Sequence, residues 1–298
     1  MTRLQRAMGQ PLSLPRLRLL VTGLTILAAL ALLGVILAYG ATSDLPTFLE
    51  AAKRVASGET PYGPFRYLYA PWLAWLFVPA TWLPLSLFVP AWHAAVAAGL
   101  CAALWPLLRT RTLEGILAAT LVGAFGFHAV WAGHFEPLMV CALVYALPTR
   151  WGPVAIGIAA SLKITPIVLA IRYAGRGEWG KVATAVAVAV ILWAPSLLYE
   201  RSGWGLPIGF TLSIAGYSPV VWAVVAFTSL VAAWRLARTR YGWLTAGVLW
   251  LAVLPRFLMY DVTGLLVTLG EQRERPGFGA ADVGLRPISE DSDGSMSP

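Results

Sequence analysis

The sequence predicts an all-α polytopic transmembrane helical bundle, and three observations carry that expectation. Of 298 residues, 58% are hydrophobic and only 12% charged, with a mean hydropathy of +0.71; a soluble domain carries about a quarter charged residues. The apolar residues fall into runs near the ~20 needed to cross a bilayer, separated by short polar turns. Fourteen tryptophans suit a chain with many membrane–water boundaries. A chain this apolar cannot hide its hydrophobic residues in one aqueous core. That excludes a soluble enzyme, a nucleic-acid-binding domain and a disordered protein. The net charge of +8 is then read as Lys and Arg retained in cytoplasmic loops. Cys101 and Cys141 lie in apolar runs and read as small hydrophobes, with no disulfide framework and no metal site.

Each element follows from apolar length and basic flanks. Residues 1–16 form a cytoplasmic N-terminus. The first run, 17–39, has Arg3, Arg6, Arg16 and Arg18 at its start and reads as a retained anchor running outward. An outer loop then spans 40–84. Within it, 67–84 holds Pro71, Pro79, Pro84, Trp72, Trp75 and Trp82, and it is placed in the outer interface rather than across the membrane. If it crossed, Arg109, Arg111, Arg235, Arg238 and Arg240 would all face outside.

With that choice, 85–108 goes inward to Arg109 and Arg111, and 113–131 returns to Gly133-His134-Phe135-Glu136. The run 137–147 goes inward to Arg150. Residues 151–173 are long enough for one span, but Pro166 favours a break at 161–166 into two short arms, with Lys163 at the outer turn. Then 182–198 goes out, 219–234 comes in to the Arg235 cluster, 243–254 goes out to Pro255-Arg256-Phe257, and 260–269 starts back. This makes about ten membrane segments within a domain spanning 17–270. The polar tail, 271–298, reads as disordered. Sixteen of the 22 Lys and Arg fall inside.

The candidate chemistry lies on the outer side. Asp44, Glu136 and Asp261 stand at the mouths of membrane segments, as do the cations Arg66, Lys163 and Arg256. Ionisable groups at membrane depth are costly and mark function by default. This set suits an anionic, lipid-linked substrate: cations for a phosphate, and a carboxylate to take a proton from an acceptor hydroxyl. In the outer loop, Leu45, Phe48, Leu49, Ala52, Val55 and Ala56 recur at helical spacing, opposite Glu50, Lys53 and Arg54, with Gly58 ending the pattern. This predicts an amphipathic helix on the membrane surface with Asp44 at its N-terminus.

Structural readings stand beside each functional one. Asp44 caps a helix; Glu136 neutralises a helix start ahead of Pro137; Lys163 snorkels; Arg256 and Asp261 form an ion pair. His93 and His128 are packed histidines. His134 beside Glu136 is more suggestive, but with no third ligand in reach it implies no metal.

The run Ser43-Asp44-Leu45-Pro46-Thr47-Phe48-Leu49-Glu50-Ala51-Ala52 continues through Gly58-Glu59-Thr60-Pro61-Tyr62 to Tyr69-Ala70-Pro71 and Leu83-Pro84. It resembles the opening of glycosyltransferase family 87, the polyprenyl-phosphate-mannose-dependent mannosyltransferases of the GT-C class. Gly133-His134-Phe135-Glu136-Pro137-Leu138 sits where that family has Gly-Gln-x-Asn-x-Leu. The stretch from Gly157 through Leu162-Lys163-Ile164-Thr165-Pro166 is similar to its Gly-x-x-x-x-x-Leu-Lys-x-x-Pro.

The resemblance implies a GT-C-type membrane hexosyltransferase acting on the outer face of the cell membrane. It implies transfer of mannose from a polyprenyl phosphate to a lipid or glycan acceptor, such as a cell-envelope glycolipid, with inversion and no cofactor. Asp44 would be the general base, with Arg66, Lys163 and Arg256 on the donor phosphate. Tyr62, Tyr69, His134, Glu136 and Asp261 would be substrate-contact candidates. His134 and Glu136 depart from the family's Gln and Asn, so contacts there would differ. The final apolar segment has only about ten residues, too few to span. Two rival readings remain: a transporter or flippase of a lipid-linked sugar, and an inactive GT-C-like scaffold. No internal repeat supports the first.

Overall fold

The structure, a computed structural model, describes residues 44–63, 67–110, 112–200, 214–255 and 258–269, together with single helical positions at Gly23 and Leu27. The expected first span at 17–39, the phosphate-binding candidates Arg66 and Arg256, and the tail at 271–298 lie outside the described residues. The described chain is all-α, with no strand among these residues. The helices are α1 (Leu45–Ala56), α2 (Pro71–Phe77), α3 (Leu85–Arg109), α4 (Leu113–Ala132), α5 (Glu136–Ala146), α6 (Gly152–Leu162), α7 (Ile171–Gly175), α8 (Trp179–Trp193), α9 (Ile214–Tyr217), α10 (Pro219–Leu236) and α11 (Gly242–Ala252). Short 3₁₀ segments cover Val78–Trp82, Thr165–Ala170, Ala194–Leu198 and Met259–Leu269.

Among the described residues, four helical stretches are long and apolar enough to cross a membrane: Leu85–Arg109, Gly115–Ala132, Trp179–Leu198 and Pro219–Leu236. At 1.5 Å per residue, the 25 residues of α3 reach about 37 Å, more than a hydrocarbon core. The other expected segments are real but short. Helices α5, α6 and α11 have 11 residues each, about 16 Å, and reach only partway across. The chain is thus a multi-pass membrane protein whose described residues form four long helices and a set of half-length ones. Its outer helices are dressed for lipid: only 11% of the apolar window of α8 and 6% of that of α10 is buried.

The break expected near Pro166 is present. Helix α6 stops at Leu162, Lys163 takes an extended backbone, and the chain resumes as a 3₁₀ turn at Thr165. Residues 67–84 form the seven-residue α2 and a five-residue 3₁₀ turn, too short for a straight crossing. Helix α1 buries Leu45, Phe48, Leu49, Ala51 and Ala52, the apolar face expected from spacing. Ala56, assigned to that face, is exposed because it lies in the last turn, beyond the packing against α2.

The long helices alternate in direction, so their ends sort into two groups. Ala132, Glu136, Lys163, Trp193 and Asp261 gather at one end; Arg150, Arg172, Arg176, Lys181, Arg235, Arg238 and Arg240 gather at the other.

Candidate active site

The site is built where α4 turns into α5. Helix α4 ends on Gly133, whose φ of +64° is left-handed. Its N–H bonds the Val130 carbonyl at 3.1 Å, and the His134 N–H reaches back to Ala129 at 2.8 Å. This paired closure requires a residue free of the Cβ penalty in that region. It also lets α1 approach, since a Cβ on Gly133 would sit 3.0 Å from that of Leu45. The Asp44 N–H then donates to the Ala132 carbonyl at 2.8 Å, docking the start of α1 onto the end of α4. Trp92 on α3 donates its indole N–H to the Gly133 carbonyl at 2.7 Å.

The turn delivers His134 and Glu136 into a fully buried position. The Glu136 backbone N–H donates to Nδ1 of His134 at 3.1 Å. That nitrogen therefore holds a lone pair, and the imidazole proton is on Nε2, which donates to the Tyr69 hydroxyl oxygen at 3.0 Å. Burial, with the nearby positive Lys163 and then His128, holds the His134 ring well below its ordinary pKa. Geometry and electrostatics agree on a neutral ring. His134 is stacked between Phe135 (4.4 Å) and Tyr260 (4.7 Å), and Phe48 of α1 closes on Tyr69, His134 and Phe135.

Lys163 is the hub. Its ammonium donates to Oε2 of Glu136 and, at 2.8 Å, to Oδ1 of Asp261, and it lies 4.8 Å from the centre of the Tyr260 ring. Asp261 uses its other oxygen to accept the Leu258 N–H at 2.6 Å. The extended break after α6 is what aims Lys163 inward. Two neighbours hold that break: Trp72 donates to Ser161 Oγ at 3.0 Å, and Trp250 donates to Thr165 Oγ1 at 3.1 Å.

The sequence candidates therefore converge only in part as expected. Tyr69, His134, Glu136, Lys163 and Asp261 form one contiguous cluster. Tyr62 supports it from behind, donating to the Tyr69 carbonyl at 3.2 Å. Asp44 sits half-buried beside it, its N–H on the Ala132 carbonyl. Its carboxylate does not cap α1, so the capping reading of Asp44 is set aside. Asp261 pairs with Lys163; the expected partner Arg256 lies outside the described residues. Lys163 was expected to meet a donor phosphate, yet it is already held by two carboxylates. Its charge is spent positioning acids, and a phosphate would have to compete for it. Sequence reading missed Tyr260, although its place beside Asp261 at a segment mouth is a usable signal.

Such a cluster places two carboxylates and a fixed positive charge at one end of a helical bundle, packed among aromatic rings. Residues 67–205 match glycosyltransferase family 87. The family 87 region contains Tyr69, His134, Glu136 and Lys163, with Asp44 and Asp261 lying to either side. Curated relatives agree. GPI mannosyltransferase 1 of Aspergillus fumigatus is 28% identical over 201 residues, which is 61% of this chain and 44% of the relative. The polyprenol-phosphate-mannose-dependent alpha-(1-2)-phosphatidylinositol pentamannoside mannosyltransferase of Mycolicibacterium smegmatis is 29% identical over 151 residues, 45% of this chain and 35% of the relative. The chain spans less than half the length of these relatives. No solved structure matches it.

Proposed function

We propose that this chain is a membrane glycosyltransferase that moves a hexose, mannose first, from a polyprenyl phosphate to a hydroxyl of a lipid or glycan acceptor. The observation that carries the reading is the convergence of Asp44 and the Tyr69–His134–Glu136–Lys163–Asp261 cluster at one end of a family 87-like bundle. In the proposed step, Asp44 takes the acceptor O–H proton as that oxygen forms a bond to the anomeric carbon. The bond from that carbon to the phosphate oxygen breaks, and polyprenyl phosphate leaves with the electron pair. The configuration inverts. The lipid-linked sugar is a substrate, and no cofactor is invoked.

Arg66 and Arg256 are assigned to the phosphate, where cations stabilise growing negative charge. Lys163 orders Glu136 and Asp261 instead. Tyr69, half-buried, offers its ring and hydroxyl to the sugar, while the buried His134 and Tyr260 pack behind it. The excess of Lys and Arg at the opposite end supports placing the site on the outer face of the cell membrane, with the N-terminus inside.

Membranes carrying the full chain, supplied with radiolabelled polyprenyl-phosphate-mannose, test this. Transfer is expected in the parent. In Asp44→Asn it should fall by 100-fold or more with an unchanged unfolding temperature. Near-normal transfer by that variant would remove Asp44 from the role. No transfer by the parent, with uptake of the lipid-linked sugar across the bilayer, would favour a flippase.

A further inference from the structure

At the end of the bundle away from Lys163, a cavity of about 390 Å³ opens between α8 and α10. Its floor is the end of α7 around Gly175, and its walls are Trp179 and Trp234, with ring centres 6.2 Å apart. Arg235 and Arg238 line its rim. Arg238 is held in place by donating from Nε to the Gly175 carbonyl at 3.1 Å. Neither arginine faces a carboxylate among the described residues. Glu178, the acid beside this floor, is taken up by Arg176 at 2.7 Å and Lys181 at 2.6 Å.

From the cavity, the two helices run on with exposed apolar faces, Val186 and Val190 on α8 and Phe227 and Val231 on α10. The arrangement has three zones in order: two guanidinium groups with no carboxylate partner among the described residues, a pair of interfacial indoles, and exposed apolar faces on both helices. An anionic phospholipid has the same zones in the same order: a phosphate, a glycerol backbone and acyl chains. We propose that this cleft binds one anionic phospholipid, its phosphate on Arg235 and Arg238 and its chains along α8 and α10. The site is independent of the glycosyl-transfer reading. It lies at the far end of α8, about 20 Å along the helix from the Lys163 end.

Arg240 supplies the control. It belongs to the same basic run, but its guanidinium donates to the Tyr241 hydroxyl at 2.6 Å and it does not line the cavity. The experiment is native mass spectrometry of the full chain released from micelles doped with phosphatidylglycerol and phosphatidylcholine. One phosphatidylglycerol should be retained over phosphatidylcholine by about tenfold. Arg235→Gln and Arg238→Gln should each lower that preference by about fivefold, the weight of one basic residue at a membrane surface. Arg240→Gln should leave it unchanged, and Trp179→Ala should shorten retention. Arg238 has a bond within the fold, so if Arg238→Gln unfolds, Arg235→Gln decides alone. Three results would overturn the proposal: equal retention of the two lipids, an equal loss in Arg240→Gln, or displacement of the lipid by millimolar glycerol phosphate.

Discussion

Lys163 is bound by the two acids it faces more than by the membrane around it. Its side chain is only 17% exposed, and the carboxylates it meets are at most 4% exposed. Removing one member of such a group strands the others. Lys163→Met should therefore destabilise the protein by about 3 kcal/mol, measured by denaturant unfolding in detergent. Adding Glu136→Gln should recover part of that loss, because it deletes one of the stranded charges. His134 makes a second case. Its neutral ring has a folded-state pKa below the ordinary value near 6.5, so only the unfolded chain gains a proton as pH falls through that range. Stability should thus decline on acidification below about pH 6.5, and the decline should be shallower in His134→Asn. Parallel thermal melts at pH 7.5 and 5.5 measure the difference. At this scale, the sequence placed Glu136, Lys163 and Asp261 at segment mouths and His134 beside Glu136. It did not show that they meet, because the contact between positions 163 and 261 depends on packing that no local pattern records.

The elements were far more legible than their contacts. Helix α1 follows from apolar periodicity, the break from Pro166, and the long helices α3, α4 and α10 from apolar length between basic flanks. The short helices α5, α6 and α11 were legible too: the runs 137–147 and 243–254 and the break at 161–166 already bounded them to about a dozen residues. The turn after α4 is the element on which the site depends. Gly133→Ala forces a side chain into left-handed backbone and against Leu45. The expected cost is about 1–3 kcal/mol. Because the same turn carries His134 and receives the Asp44 N–H, transfer should fall more steeply than stability does. Comparing transfer rate with unfolding temperature in that one variant separates the two effects.

For the whole molecule, the two ends differ in chemistry. Aromatic rings and a cluster of two acids with one lysine occupy one, while seven described cations from Arg150 to Arg240 crowd the other. That asymmetry predicts a fixed orientation. In a background with Cys101 and Cys141 replaced by alanine, a cysteine at Glu59 should react with an impermeant thiol reagent in intact cells. One at Thr239 should react only after permeabilisation. Both positions are exposed, so access alone decides the result. Labelling at 239 in intact cells would invert the bundle and move the proposed chemistry to the other side. The charge sorting behind this prediction was visible in sequence, since loop cations need no tertiary information. The cavity between α8 and α10 was not, since it depends on Trp179 and Trp234 meeting across 55 residues of sequence.

The two bonds made by Lys163 also constrain how the protein is made. Glu136 precedes it by 27 residues, but Asp261 follows 98 residues later. As the chain leaves the ribosome, the lysine enters the bilayer with one acid already beside it and waits for the other. Tyr260, which roofs the cluster, arrives at the same moment as Asp261. Biogenesis must therefore finish at its last described helix before the pocket can close, and a chain halted short of residue 259 would insert most of its helices yet leave that pocket open.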